Sequence, residues 1–267
     1  MKIDLHNHSK YSDGVLSVKE LLNLAKEKKI DIMGLTDHDS VFGVDEAYTY
    51  GKEVGVKVLK GMELSTFHKG QTVHIVCYFK NNVIPKELYE FSQNIINTRL
   101  QRAHKMINKI KDYYKINIDE DFLFKNSCIV TRGNMYQCIL HSNPDIDHTL
   151  AQQMISDDSP CYIPASKMTT EEGIKLLNNL GAFKILAHPT LIKREYLSEI
   201  LDLEARYPKN KAGEEDFFKV EAKKRGMLYS AGSDFHGDDK HAMIGTSTLN
   251  YDEFKPIIDK LEIGDDF

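Results

Sequence analysis

The feature of this sequence that most restricts its fold is a rhythm. Short β-branched or apolar runs stop abruptly at polar residues, and helical patterns follow most of them. The runs are 2–6, 30–36, 56–61, 72–79, 183–187, 200–205 and 227–231. Seven strands at that spacing predict βα units arranged as a parallel sheet or barrel. Helix ends can be placed as well. Ser17 and Glu20 have capping-box spacing ahead of Leu21, Leu22, Leu24 and Ala25, and Thr169 and Glu172 repeat it ahead of Ile174, Leu176, Leu177 and Leu180. Gly181 and Gly226 stand where helices of this length should end.

Residues 81–164 break the rhythm. Leu88, Phe91, Ile95, Arg99, Arg102, Met106, Ile110 and Tyr113 recur three or four apart, which predicts one long helix with a mostly apolar stripe. Shorter helical segments come next at 135–141 and 149–155. This stretch reads as a helical insertion (81–164) in a barrel made of 1–80 and 165–267, and an insertion of that kind is suited to capping a site and selecting substrate.

The chemistry is concentrated at the ends of the predicted strands. The first ends in D-L-H-N-H, giving His6 and His8, two apart and therefore on one side of an extended chain. The others contribute Asp37 and His38 from T-D-H-D, Glu63 from G-M-E, His74 from V-H-I-V, His188 from A-H-P, and Asp234 and His236 from G-S-D-F-H-G. Asp13, in the loop after the first strand, can join them. In parallel α/β barrels the carboxyl ends of the strands converge on one face. Six of the eleven histidines are thereby expected at one face with several carboxylates. Such crowding needs a counter-charge, and neutral imidazole with carboxylate is a good ligand set for divalent cations. No thiol belongs to the set, which argues against a closed structural zinc site. His68, His104, His141, His148 and His241 fall in predicted loops or in the insertion, and most are read as solvated.

Composition removes several classes. Thirty-five basic against 40 acidic side chains give a net charge of −5, which disfavours a protein that coats duplex DNA. No apolar run approaches the roughly 18 residues of a membrane helix. The start, M-K-I-D-L-H-N-H-S, lacks an apolar segment typical of secretory signals. Cys77, Cys128, Cys138 and Cys161 form no C-x-x-C pair and read as reduced thiols of a cytoplasmic protein. There is no G-x-x-x-x-G-K-[ST], no G-x-S-x-G and no H-E-x-x-H, so ATP-driven and serine-hydrolase chemistries lose their usual support.

Taken in order, H-N-H, T-D-H-D, G-M-E, V-H-I-V-C-Y, L-A-H-P and G-S-D-F-H-G resemble the PHP (polymerase and histidinol phosphatase) family of metal-dependent phosphoesterases. The resemblance runs over nearly the whole chain. It implies an α/β fold, a distorted (β/α)7 TIM-like barrel with a helical insertion. It also implies two or three divalent ions, manganese, zinc or iron. The first would be held by His6, His8, Glu63 and Asp234, and the second by Glu63, His74 and His188. The third would be held by Asp13, His38 and His236, with Asp37 orienting a ligand from behind. The insertion looks like that of the subgroup acting on nucleotide 3′,5′-bisphosphates and trimming RNA 5′ ends. It departs from that subgroup at T-R-G-N-M, where Arg132 matches but Asn134 replaces a histidine; an amide hydrogen-bonds but supplies no proton.

The reaction implied is hydrolysis of a phosphate ester by metal-activated hydroxide. Asp234, His236 and His188 are the candidate catalytic groups, and Arg132, Asn134 and Arg99 the candidate substrate contacts. The expected partner is a small phosphorylated nucleotide or short RNA end, with neither duplex DNA nor membrane. A histidinol-phosphate-type phosphomonoesterase is the nearest alternative. A non-catalytic, metal-stabilised binding scaffold is the alternative from another class.

Overall fold

The computed structural model describes residues 1–125, 130–164, 168–195 and 202–264. Cys128, and Ile200 and Leu201 of the predicted sixth strand, lie outside these. In chain order the elements begin β1 (Ile3–Asp4), α1 (Val18–Glu27), β2 (Ile32–Leu35), α2 (Val44–Val54), β3 (Lys57–His68) and β4 (Gln71–Tyr78). Four helices come next: α3 (Lys86–Tyr114), α4 (Glu120–Lys125), α5 (Arg132–Ser142) and α6 (His148–Met154). The chain then continues through α7 (Thr170–Asn179), β5 (Phe183–Leu186), β6 (Asp202–Arg206), α8 (Glu214–Lys224), β7 (Tyr229–Ala231) and α9 (Tyr251–Leu261). The capping boxes at Ser17–Glu20 and Thr169–Glu172 are formed, and Gly181 and Gly226 adopt positive φ just past their helices, as their spacing predicts.

The seven strands pair in chain order. Beyond β7 the chain returns to β1. Leu5 N–H donates to the Ala231 carbonyl at 3.1 Å, and His8 N–H to the Phe235 carbonyl at 2.9 Å. These bonds nearly close the sheet into the expected α/β barrel.

One expectation is corrected. The sheet is not wholly parallel, because β4 runs antiparallel to both β3 and β5. The third strand does not stop at Gly61 but continues to His68 and turns directly into β4 through Lys69 and Gly70, both at positive φ. A two-residue loop in that conformation fits the right-handed twist of a hairpin and leaves no room for a crossover helix. Glu63 and His74 are consequently mid-strand residues on adjacent strands, not strand-end residues.

The chain packs as two units, residues 1–89 with 167–267, and residues 90–166. The barrel unit buries Ile3, Leu5, Leu59, Val76, Tyr78 and Ile185 together with Phe254, Ile257 and Leu261 of α9. The helical unit has its own buried cluster, including Met106, Ile107, Ile110, Leu123, Met135, Ile139 and Met154. Among the described residues no helix is long and apolar enough to cross a membrane.

Inside the barrel, the fully buried Tyr78 hydroxyl donates to the Leu5 carbonyl. Its path passes over Gly34, where a Cβ would lie 2.2 Å from that hydroxyl oxygen. Gly34→Ala is therefore expected to destabilise the protein by about 1–3 kcal/mol through overpacking. Adding Tyr78→Phe should recover part of that loss although Tyr78→Phe alone costs about 1 kcal/mol. Urea unfolding of the two single variants and the double variant measures this coupling; strict additivity would contradict it.

Candidate metal centre

The segment after β1 keeps strand-like alternation although the strand itself has ended. Asn7 faces the wall, where its side-chain amide donates to the Gly34 carbonyl and to both the carbonyl and the carboxylate of Asp4 at 3.2 Å. His6 and His8 point the other way, their rings 5.1 Å apart. On the hairpin, Ser65 pairs with His74 and Glu63 with Val76, so Glu63 and His74 share a face diagonally. These constraints gather the predicted residues around the Glu63 carboxylate. Its Oε2 lies 3.2 Å from a ring nitrogen of each of His6, His8 and His38. Its Oε1 lies 3.3 Å from His74 Nδ1 and 3.1 Å from His188 Nε2. Asp234 Oδ1 is 3.3 Å from His8 Nε2 and 3.5 Å from His6 Nε2. Asp13 Oδ1 is 3.3 Å from His236 Nε2, and its Oδ2 is 3.8 Å from His38 Nε2. All nine residues proposed as ligands from the sequence thus meet in the barrel unit.

Two of the site residues carry backbone strain. His188 and Asp234 adopt φ of 33° and 51°, a region that costs an ordinary side chain energy unless the surroundings enforce it. Gly232, just before Asp234, lies against β1 so closely that a Cβ would sit 2.2 Å from His6 Cβ and 2.6 Å from Glu204 Oε1. Only glycine lets the last strand approach the first at this point.

A second ring of residues, absent from the sequence reading, orients the inner one. Buried Glu204 accepts from His6 Nδ1 at 2.9 Å and from the His188 backbone N–H at 2.7 Å. His6 thereby keeps Nε2 turned inward, the arrangement in which carboxylates fix metal-binding histidines. Tyr207 donates to Asp234 Oδ2 at 3.2 Å, leaving Oδ1 for the interior. His236 Nδ1–H donates to the Asp234 carbonyl at 2.8 Å, which likewise leaves Nε2 free. Asp4 accepts from the backbone N–H groups of Ser233 and Gly245 and so ties the Gly-Ser-Asp segment to β1. No local pattern marks Glu204, Tyr207 or Asp4, because what distinguishes them is a long-range partner.

Asp37 acts on the loop after β1. Its Oδ1 accepts from Ser9 N–H at 2.7 Å and from Ser12 Oγ at 2.6 Å, and its Oδ2 from Ser9 Oγ at 2.7 Å. It holds the loop between His8 and Asp13. His68 and His241 are not the solvated residues their positions suggested. His68 is buried at the end of β3, with Nδ1 3.1 Å from Glu171, and His241 stacks on His236 with ring centroids 3.9 Å apart. In the helical unit, the Asn134 side-chain oxygen accepts from Thr131 N–H at 2.9 Å and caps α5. Arg132 Nη1 is exposed and donates to Asp157 at 2.6 Å. Arg99 lies in the exposed-to-half-buried middle of α3.

The electrostatics demand added positive charge. Burial opposes charging His6, His8 and His74, but the surrounding carboxylates outweigh it, led by Glu63 for His6 and His74 and by Asp234 for His8, which is pushed up to about 10. Burial, helped by the neighbouring His74 and His8, instead drives His38 down to about 3. Burial would raise Glu63 and Asp13, yet the imidazoles hold both below the ordinary carboxylate range. Protons or divalent cations can meet this demand, and cations need the imidazoles neutral. The donor set also fits cations on packing grounds. His6 Nε2, both ring nitrogens of His8 and Glu63 Oε2 are buried without hydrogen-bond partners, where buried polar atoms are ordinarily satisfied. Among the described residues, His6–His8–Glu63–Asp234, His8–Asp13–His38–His236 and His38–Glu63–His74 each have ligand atoms within 4.8 Å of one another.

Residues 4–157 match the model of the PHP domain. The chain belongs to the PHP family. It is similar to the 3′,5′-nucleoside bisphosphate phosphatase of Chromobacterium violaceum, 27% identical over 252 residues covering 88% of this chain and 87% of that one. It is also similar to the 5′-3′ exoribonuclease of Haemophilus influenzae, 29% identical over 189 residues covering 70% of this chain and 69% of that one. Among solved structures, an amidohydrolase from Chromobacterium violaceum with bound sulfate and no metal shares 26% identity at a TM-score of 0.74, covering 98% of this chain and 96% of its own. A predicted metal-dependent phosphoesterase from Bifidobacterium adolescentis superposes at a TM-score of 0.78 with 22% identity, covering 97% and 96%. This PHP protein is a metal-dependent phosphoesterase.

Glu204→Gln keeps the shape of the side chain but removes the carboxylate behind His6. Metal affinity should fall about 10- to 100-fold, measured by equilibrium dialysis and elemental analysis, while the circular dichroism spectrum stays unchanged.

Proposed function

We propose that this enzyme releases phosphate from nucleotide 3′,5′-bisphosphates and trims short 5′-phosphorylated RNAs. The observation that carries the reading is the convergence of nine ligand-type side chains, Glu63 among them, in a chain that spans 87% of a relative named for nucleoside bisphosphates. In this reading His6, His8, Glu63 and Asp234 hold one ion. Glu63, His74 and His188 hold a second, and Asp13, His38 and His236 a third. The ions are manganese, zinc or iron. When bound, they supply Lewis acidity that lowers the pKa of water and neutralises phosphoryl oxygens.

The chain's own groups do the positioning. Glu204 and the Asp234 carbonyl fix the tautomers of His6 and His236, and Tyr207 occupies Oδ2 of Asp234 so that Oδ1 stays turned inward. Asp234, His188 and His236 are the proposed catalytic groups. The helical insertion, 81–164, is assigned to substrate selection, with Arg132 and Arg99 gripping a second phosphate as guanidinium donors. Asn134 is assigned a hydrogen-bonding role through its amide N–H groups, since its oxygen already caps α5. A reducing compartment, the cytoplasm, suits the buried free thiols of Cys77, Cys138 and Cys161.

With manganese present, phosphate release from adenosine 3′,5′-bisphosphate and histidinol phosphate should be compared with mononucleotide release from a short 5′-phosphorylated RNA. The nucleotide substrates should be preferred, and a preference for histidinol phosphate would replace this reading with the phosphomonoesterase one. His8→Ala or Asp234→Ala should lower kcat by about two orders of magnitude or more, with the circular dichroism spectrum retained. Undiminished turnover in either variant would reject its assigned role.

A further inference from the structure

The loop after the Gly-Ser-Asp-Phe-His segment carries a histidine that none of the three proposed ligand sets uses. Gly237 turns the chain at φ 80°, and the Asp238 carboxylate gathers the residues beyond it. Its Oδ1 accepts from the N–H groups of Lys240 at 3.1 Å and His241 at 3.0 Å, and from His241 Nδ1 at 2.7 Å. The ring of His241 is thereby folded back over His236, tilted 23° from it at a centroid distance of 3.9 Å. His236 in turn stacks on His8 at 4.1 Å. The three imidazoles form a column that leads from the buried interior outward. His241 is its outermost member, with a quarter of its side chain exposed.

Two observations say what this histidine is for. Its Nδ1–H is committed to Asp238, so the free nitrogen is Nε2 and carries the lone pair; a carboxylate behind an imidazole is how proteins prepare a metal ligand. In addition, the ligand atoms of Asp234, His236 and His241 lie within 4.8 Å of one another, a fourth grouping beside the three already described. The Asp234 carboxylate in that grouping repels an anion and attracts a cation, which favours a metal over a substrate phosphate.

We propose that His241 is an additional ligand of the centre, binding a divalent transition-metal ion together with Asp234 and His236, with Asp238 as its positioning residue. The inference rests on the reading of the centre as a metal site and extends it to a side chain in the loop beyond the last barrel strand.

Co²⁺ alone is the probe, titrated into the full chain and followed by visible absorption and equilibrium dialysis. His241→Ala should weaken one class of Co²⁺ site by at least about 10-fold and alter the absorption bands of that class, because a nitrogen ligand has been lost. Asp238→Asn should weaken the same class by about 10-fold while keeping all ligands in place. Should His241→Ala fail to fold, Asp238→Asn carries the test alone. Isotherms and spectra that superpose on those of the unsubstituted chain would overturn the inference. So would a variant that raises KM for substrate with Co²⁺ binding unchanged, which would make His241 a phosphate contact. No Co²⁺ uptake by the unsubstituted chain would overturn the metal-centre reading itself; equal uptake by all three proteins would overturn this inference alone.

Discussion

A carboxylate with no solvent exposure, Glu63, sits within 3.3 Å of ring nitrogens from five histidines. A buried charge is tolerated only when it is paired and its remaining polar neighbours are satisfied. Imidazole can pair with it by taking a proton, or by offering a lone pair to a cation that does the pairing. Glu63 therefore dictates the character of its surroundings. Every inward nitrogen must be held in one tautomer, and every further carboxylate must be kept from simply adding to the negative charge. Glu204, Tyr207 and the Asp234 carbonyl meet that requirement, each by occupying the outer atom of an inner side chain.

The barrel is modified to suit this arrangement. In a strictly parallel sheet, Glu63 and His74 would come from strand ends separated by a helix. The hairpin of β3 and β4 instead sets them diagonally on one face, where the register alone fixes their spacing. Positive φ at His188 and Asp234 turns those side chains inward at a conformational cost that hydrogen bonds to Glu204 and Tyr207 help to sustain.

Much of this was legible in the residues. His6 and His8 declare themselves by their two-residue spacing, and His38, Glu63, His74, His188, Asp234 and His236 by their places in apolar runs. The capping boxes and the long helical period of α3 follow from spacing alone. The hairpin was not legible in the same way, because the βα rhythm around it outweighed the short Lys-Gly signal that marks its turn. Gly61 reads as a strand end, yet it lies within β3 because the Tyr78 ring crosses directly over it. Glu204, Asp4 and Tyr207 lacked any local signature, since an acidic or phenolic side chain in a strand is ordinary until its distant partner is known. His241 escapes a reading of the sequence for a related reason. A loop position implies solvent, and the carboxylate that folds the loop back is three residues away in sequence but acts through space.

The ligand-type residues also come from segments that the sheet joins unevenly. β3 and β4 are zipped along eight residue pairs, whereas β1 pairs with β2 through only two. Between the last strand and the first, the backbone bonds are isolated ones at Leu5, His8 and Phe235, beside the bonds that Asp4 accepts from Ser233 and Gly245. His6 and His8 lie on one side of that seam and Asp234 and His236 on the other, with Glu63 on the well-paired hairpin opposite both. Positive charge shared among these groups would bridge the seam as well as satisfy Glu63. An ion that binds only the assembled set stabilises the folded barrel by its own binding free energy. Ion binding and barrel closure are therefore coupled, and the coupling acts where the sheet has few ladder bonds of its own.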